Sequence, residues 1–240
     1  MKSSVSRAVV AASVTVALGL TAACGSDNGD SGDKGKKSPE KSAAAKPVAK
    51  KSTVLSAADL EKAALAKGDL KGYKVEKMSA ADMPSQTVPA DPAACQPFAD
   101  MFMFATQPAA KNRLGRTLTG PDELDATVIS LALLAHEKAD AEKIMEGLRK
   151  ATKKCTAYEH ADSKYRDVAA LPAPKAGDDA VSYKVVGDIQ GQKTPMSFTV
   201  VRSGSTLAAF YSINLLKPKE FGVPTKIVDA QVNKLEKLAK

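Results

Sequence analysis

The chain has 240 residues, enough for one domain with a substantial core or two small ones, carries a formal net charge of +8 and lacks tryptophan. The charge is spread along it: net +2 over residues 1–24, +3 over 25–53 and +3 over the rest. That leaves no basic stripe with interleaved aromatics on the folded part, so nucleic acid is set aside as a partner.

Residues 1–7 contain Lys2 and Arg7, residues 8–23 (AVVAASVTVALGLTAA) carry no charge, and Cys24 follows. A positive start, a short apolar run and small residues before a cut describe an export signal over residues 1–23. The run is too short and too rich in Ala, Ser and Thr for a spanning helix, which needs about 20 apolar residues. Leu20-Thr21-Ala22-Ala23-Cys24 resembles a bacterial lipobox, with Thr21 where leucine is usual. The resemblance implies a diacylglyceryl group on the Cys24 thiol, which would then lead the mature chain and anchor it in membrane lipid on the extracytoplasmic face. Two acyl chains hold a protein stably where one does not. The alternative is an ordinary secretory signal that releases a soluble protein.

Residues 25–53 hold seven Lys, four acids, no aromatics and one Val as the only large aliphatic. With Cys24 they form a 24–53 tether that cannot bury enough apolar surface to order itself and spans about 30 Å as a coil. Its lysines have a second use, contact with anionic lipid or wall polymer at about 1 kcal/mol each, although Asp27, Asp30 and Asp33 dilute the charge nearest the lipid.

Residues 54–240 make the folded domain. The stretch 55–68 (LSAADLEKAALAKG) predicts a helix with Ser56 as cap, Leu55 and Leu60 as staple and Gly68 as stop. A short strand follows at 72–78, and prolines 84, 89 and 92 predict a loop over 79–92. Residues 93–107 predict a second helix with Cys95, Phe98, Ala99 and Phe102 on one face. Two strands flank a turn at Gly120-Pro121-Asp122, the second (TVISLALLA) apolar on both faces and therefore central. Asp140 opens a third helix, on which Ile144, Leu148, Ala151 and Cys155 share the buried side.

Alternation at Val181/Tyr183/Val185, Met196/Phe198/Val200 and Leu207/Ala209/Tyr211/Ile213 predicts strands joined by turns at Gln190-Gly191 and Ser203-Gly204. A last helix starts near Pro224, with Val228, Val232, Leu235 and Ala239 inward. The sum is an α+β fold: a mostly antiparallel twisted sheet covered by three or four helices. Cys95 and Cys155, an even pair in an exported chain, read as its one disulfide; a metal site is the competing reading.

Ala93-Ala94-Cys95-Gln96-Pro97, the hairpin Val200–Leu207 and the closing Gln231–Lys237 helix carry a resemblance to the extracellular sensor domains of PknH-type membrane kinases and related lipoproteins. It implies a twisted antiparallel sheet with helices and a ligand cleft. Those kinase domains carry two disulfides, whereas one cysteine pair is available here.

No G-x-S-x-G, H-E-x-x-H or P-loop pattern occurs, and His136 and His160 are the only histidines, so the chain reads as no enzyme and calls for no cofactor. Residues 122–125 (DELD) and Asp178-Asp179 suit calcium, or are plain turns, and no metal is assigned. FADMFMF, residues 98–104, is apolar on more than one helical side, with Met101 on the flank and Phe104 nearly opposite the core face. That pattern is either packing between layers or part of an apolar cleft, with Leu114 and Leu118 facing it from the next segment. Two functions follow: a lipid-anchored binding or sensory module that holds an apolar or amphiphilic envelope ligand or an envelope protein, or a structural or assembly lipoprotein without a ligand.

Overall fold

The computed structural model describes residues 54–84, 86–121, 126–189, 191–214, 216–217 and 222–238. Residues 1–53, with the signal and Cys24, lie outside them, as do the DELD stretch at 122–125, Gln190 and Ala239.

Helices α1 (Ala57–Ala63), α2 (Gln96–Phe102), α3 (Lys138–Lys154) and α4 (Thr225–Leu238) accompany nine strands among the described residues. These are β1 (Lys74–Lys77), β2 (Ala90–Asp91), β3 (Asn112–Thr119), β4 (Thr127–Ala135), β5 (Tyr158–His160), β6 (Ser163–Leu171), β7 (Asp179–Ile189), β8 (Gln192–Ser203) and β9 (Thr206–Asn214). They form one sheet in the order β1-β3-β4-β9-β8-β7-β6-β5-β2, antiparallel at every pairing. The α+β reading, the central place of the TVISLALLA strand and the two hairpin turns stand, with more strands than the alternation predicted. Gly191 and Gly204 take φ 79° and 60° at the reversals, values that suit glycine.

The sheet divides two cores because side chains alternate along each strand. Toward α2 and α3 point Val181, Tyr183, Val185, Met196, Phe198, Val200, Leu207 and Ala209. Toward α1 and α4 point Leu118, Ile129, Leu131, Leu133, Val201 and Phe210. β4 serves both, sending Ala132 and Leu134 to the first core, which is why it is apolar throughout. Its cross-strand register on β9 sets Leu131 against Phe210 and Leu133 against Ala208.

On the α2/α3 side a chain of rings fills the centre: Phe98–Tyr183 at 4.2 Å, Tyr183–Phe198 at 4.8 Å and Phe198–Tyr211 at 5.6 Å between centroids. Such pairs contribute roughly 0.5–1.5 kcal/mol each beyond area burial. The Cys95–Cys155 disulfide, with Cα atoms 5.3 Å apart, joins the residue before α2 to the residue after α3.

On the other side α1 ends earlier than Gly68, and a side chain ends it. Gln231 of α4 is fully buried. Its Nε2 donates to the Ala63 carbonyl at 2.7 Å and its Oε1 accepts from the Leu65 N–H at 2.9 Å. Arg116 of β3 donates to the Leu65 carbonyl at 3.1 Å and pairs with Glu61. The chain leaves the helix because both backbone groups of Leu65 have partners outside it. Gln231→Leu strands the Ala63 carbonyl and the Leu65 N–H in an apolar interior, where each lost partner costs about 1–3 kcal/mol. Urea unfolding of the variant is expected to show a loss of about 2–4 kcal/mol.

Candidate ligand groove between two helices

α3 is amphipathic, burying Ala141, Ile144, Met145, Leu148 and Ala151 against the sheet. Its flank beside α2 carries Lys143, Gly147 and Lys150, spaced four and three apart. α2 has only seven residues, and Pro97 in its first turn needs no N–H there. Between the two helices lies a groove of about 300 Å³. Met101 and Ile144 form its apolar floor, Pro97 and Gly147 face each other across it, and Asp100 and Thr106 supply polar atoms.

Asp100 is the unusual member. It is 6% exposed, and its Oδ1 accepts a hydrogen bond from Gln96 Nε2 at 2.8 Å. Gln96 is held in turn by the Val88 carbonyl and the Ala90 N–H, at 2.9 and 2.8 Å. Among the described residues no cation pairs with Asp100. Burial pushes its carboxyl up to about 6, against the opposing pull of the Gln96 bond. Its charge also adds to burial in raising the fully enclosed Tyr183 phenol, whose hydroxyl has no partner. At the rim, Lys150 pairs with Glu146 at 2.6 Å, whereas Lys143 is exposed and has no acidic partner among the described residues.

Gly147 is the second anomaly. Mid-helix glycine costs roughly 0.5–1 kcal/mol relative to alanine. Nothing steric demands it here: a Cβ at 147 would lie 3.8 Å from Pro97 Cγ, an ordinary contact. The missing methyl widens the groove.

Of the residues singled out in the sequence, Met101 lines this groove. Phe104 does not: α2 stops at Phe102, and Phe104 turns back at φ 49° to stack on Tyr211, 5.4 Å between centroids. The helical placement of Phe104 therefore does not hold. Leu118 packs in the α1/α4 core and Leu114 against it, so the sheet stands between them and Met101. Leu114 borders a separate recess beside Arg113 and Arg116. Asp100, Thr106 and Gly147 went unnoticed in the sequence. Asp100 was signalled by a single acid inside an apolar helical run and Gly147 by a glycine inside a helical period, while Thr106 carried no signal.

Elsewhere, Asp178 accepts from Arg202 and from the Gly204 N–H, and Asp179 is clasped by Arg149 through two nitrogens. Both acids are engaged in pairs rather than gathered for an ion. Among the described residues no three His, Cys, Asp or Glu side chains converge as metal ligands. His160 lies in β5 rather than in a polar loop, buried, with no partner at either nitrogen. His136 is fully buried, with Nε2 3.5 Å from Thr106 Oγ1 and Nδ1 unpartnered. Burial pushes its ring down to about 4, Lys111 adding to the effect and Asp140 opposing it.

This architecture matches solved structures. The extracellular domain of PknH from Mycobacterium tuberculosis superposes with a TM-score of 0.51 at 8% identity, covering 78% of this chain and 98% of that one. The resemblance to PknH-type sensor domains is one of fold. An uncharacterised protein of Mycobacterium smegmatis, the Rv0999 ortholog, superposes at 0.41 with 12% identity over 70% of this chain and 89% of its own. No protein-family model matches the sequence, and no curated protein does. No helix among the described residues is long and apolar enough to cross a membrane.

A carboxyl raised in the folded state binds a proton that the unfolded chain has released, so Asp100 lowers stability as pH rises from about 4 through about 6. The raised value corresponds to on the order of 2–3 kcal/mol of destabilisation at neutral pH. Buried neutral His136 acts oppositely, its contribution being lost as pH falls from about 6.5 toward 4. The difference between variant and wild type isolates Asp100. Asp100→Asn is expected to unfold at higher urea than wild type at pH 7.5, with the gap closing near pH 4.

Proposed function

We propose that this chain is a lipid-anchored, extracytoplasmic binding or sensory module that holds an apolar or amphiphilic envelope ligand, or a segment of a protein partner, in the α2–α3 groove. The observation that carries the reading is the groove itself: an apolar floor, a buried carboxyl with no counter-ion, and a glycine whose only structural effect is to leave space. Ligand sites are concave, mostly apolar and marked by a few polar groups, and 300 Å³ is at the small end of their range. The export signal, the lipobox-like Cys24 and the disulfide support the extracytoplasmic side of the reading. The likeness in fold to a kinase's extracellular domain supports the sensory side.

A non-catalytic role is part of this proposal. The one hydroxyl–imidazole contact beside the groove, Thr106 with His136, is long at 3.5 Å, and the far ring nitrogen lacks an acceptor to orient it. A ring pushed down to about 4 is also a weak general base at neutral pH.

Native mass spectrometry and lipid extraction of the purified domain test the ligand. A bound or bindable small molecule is expected, and its absence from every preparation sinks the small-molecule reading. Gly147→Ala is expected to raise stability by roughly 0.5–1 kcal/mol while lowering occupancy of the groove, because the same methyl favours the helix and fills the site. An unchanged occupancy would remove the groove from the account. Labelled fatty acid should enter the wild-type protein in cells and fail to enter Cys24→Ser; an unlabelled wild type would remove the anchor.

A further inference from the structure

The charges of the groove have a pattern beyond its shape. Buried carboxylates are paired in nearly all folded proteins, because an isolated one forfeits its hydration. Asp100 has one amide donor and no cation. It faces the groove from α2, and the floor beside it is Met101 and Ile144, which offer no hydrogen bond. On the opposite wall the charged groups among the described residues are those of α3. Glu146 and Lys150 cancel each other at 2.6 Å, which leaves Lys143 as the unmatched charge at the rim. One unpaired negative charge inside, one unpaired positive charge outside and hydrocarbon between them describe the mould of a particular ligand.

We propose that the groove recognises a small apolar zwitterion, its ammonium seated on Asp100, its acidic group on Lys143 and its hydrocarbon body on Met101 and Ile144. This rests on the reading of the groove as a ligand site. The ammonium supplies the counter-ion and donors that Asp100 lacks, replacing water lost on burial with a charge-assisted hydrogen bond. Thr106, also in the wall, adds a hydroxyl to the lining. A ligand with the amine alone would meet the uncompensated Lys143. A ligand with the acid alone would leave Asp100 bare or face it as a like charge.

The probes are ε-aminocaproate and leucine, two zwitterions of different charge separation, with their single-charge analogues: hexylamine and hexanoate for the first, isoamylamine and isocaproate for the second. Hexanol serves as the neutral control. Binding is read at pH 7.5 from shifts of the Gly147 and Thr106 amide resonances of the labelled domain. At least one zwitterion is expected to bind about ten-fold tighter than both of its analogues, the size of one charge-assisted hydrogen bond. Asp100→Asn and Lys143→Gln are each expected to erase that preference. Asp100→Asn is also expected to be the more stable protein, so a loss of binding in it is not a loss of fold.

Equal binding of zwitterion and analogues, or a preference that survives Asp100→Asn, overturns the proposal. Binding of hexanol with no charge preference overturns the zwitterion alone and leaves the groove as an apolar site. If no probe moves either resonance and extraction also finds nothing, the ligand-site reading falls with it.

Discussion

The bond between Cys95 and Cys155 is the constraint on which this side of the molecule depends. α2 is seven residues long, well below the dozen or more that an isolated helix needs to be even marginally stable in water. It persists because its first end is bonded covalently to the last end of α3 and because Phe98 packs at a tilt on Tyr183, 4.2 Å between centroids. Closing a loop across 60 residues removes unfolded-state entropy worth about 4 kcal/mol in the chain-entropy picture. It also sets the distance between the two helices at one end of the groove. A short helix held at one end by a bond and below by a ring can stand off from its neighbour and still stay in place. A helix held only by packing would have to close the gap.

The contents of that gap run against stability. A carboxyl that must ionise in an apolar wall and a glycine in the middle of a seventeen-residue helix each make the fold weaker than an obvious substitute would. Surrounding structure shows that the sequence can do otherwise. Arg116, just as buried as Asp100, has Glu61, the Leu65 carbonyl and the Gly115 carbonyl around its guanidinium. Gly187 is explained by crowding, since a Cβ there would fall 2.9 Å from Met196 Cε and 3.1 Å from Tyr165. At Asp100 and Gly147 no such compensation is found among the described residues.

Much of the fold was legible because it is written in period two. Tyr183 and Phe198 alternate with polar residues, so their common face could be read directly, and the cysteine pair was legible as an even pair in a chain read as exported. Leu114 and Leu118 could not be placed that way. Their strand pairs with β4, which is apolar on both faces, so neither side of β3 was marked as the wrong one. Their true side follows from register, Leu114 against Leu133 and Leu118 against Ile129, and register is a long-range fact. Phe104 was misplaced for a local reason: a helical wheel continues past the point where the backbone stops, and the positive φ at Phe104 reverses the ring into the core. Asp100 was hidden by its neighbours, since a lone acid among Phe and Met reads as the solvent side of a helix until it is seen buried and bonded to Gln96.

The two faces of the sheet therefore do different work, and the difference lies in how their helices are secured. On the α1/α4 face the elements are locked by buried side-chain bonds to backbone, Gln231 to Ala63 and Leu65 and Arg116 to Leu65. Each of these requires contact, so α1, α4 and β3 cannot part at those points without stranding a polar group. Among the described residues, α2 and α3 are joined to each other by the disulfide at one end and by apolar contact, while Gln96 ties α2 and Arg149 ties α3 to neighbouring segments. The groove occurs on the face whose attachments tolerate it. Val54, the first described residue, packs against the α1/α4 core, so the polypeptide enters the domain on the locked face. The groove lies on the other face, with the sheet between it and that entry.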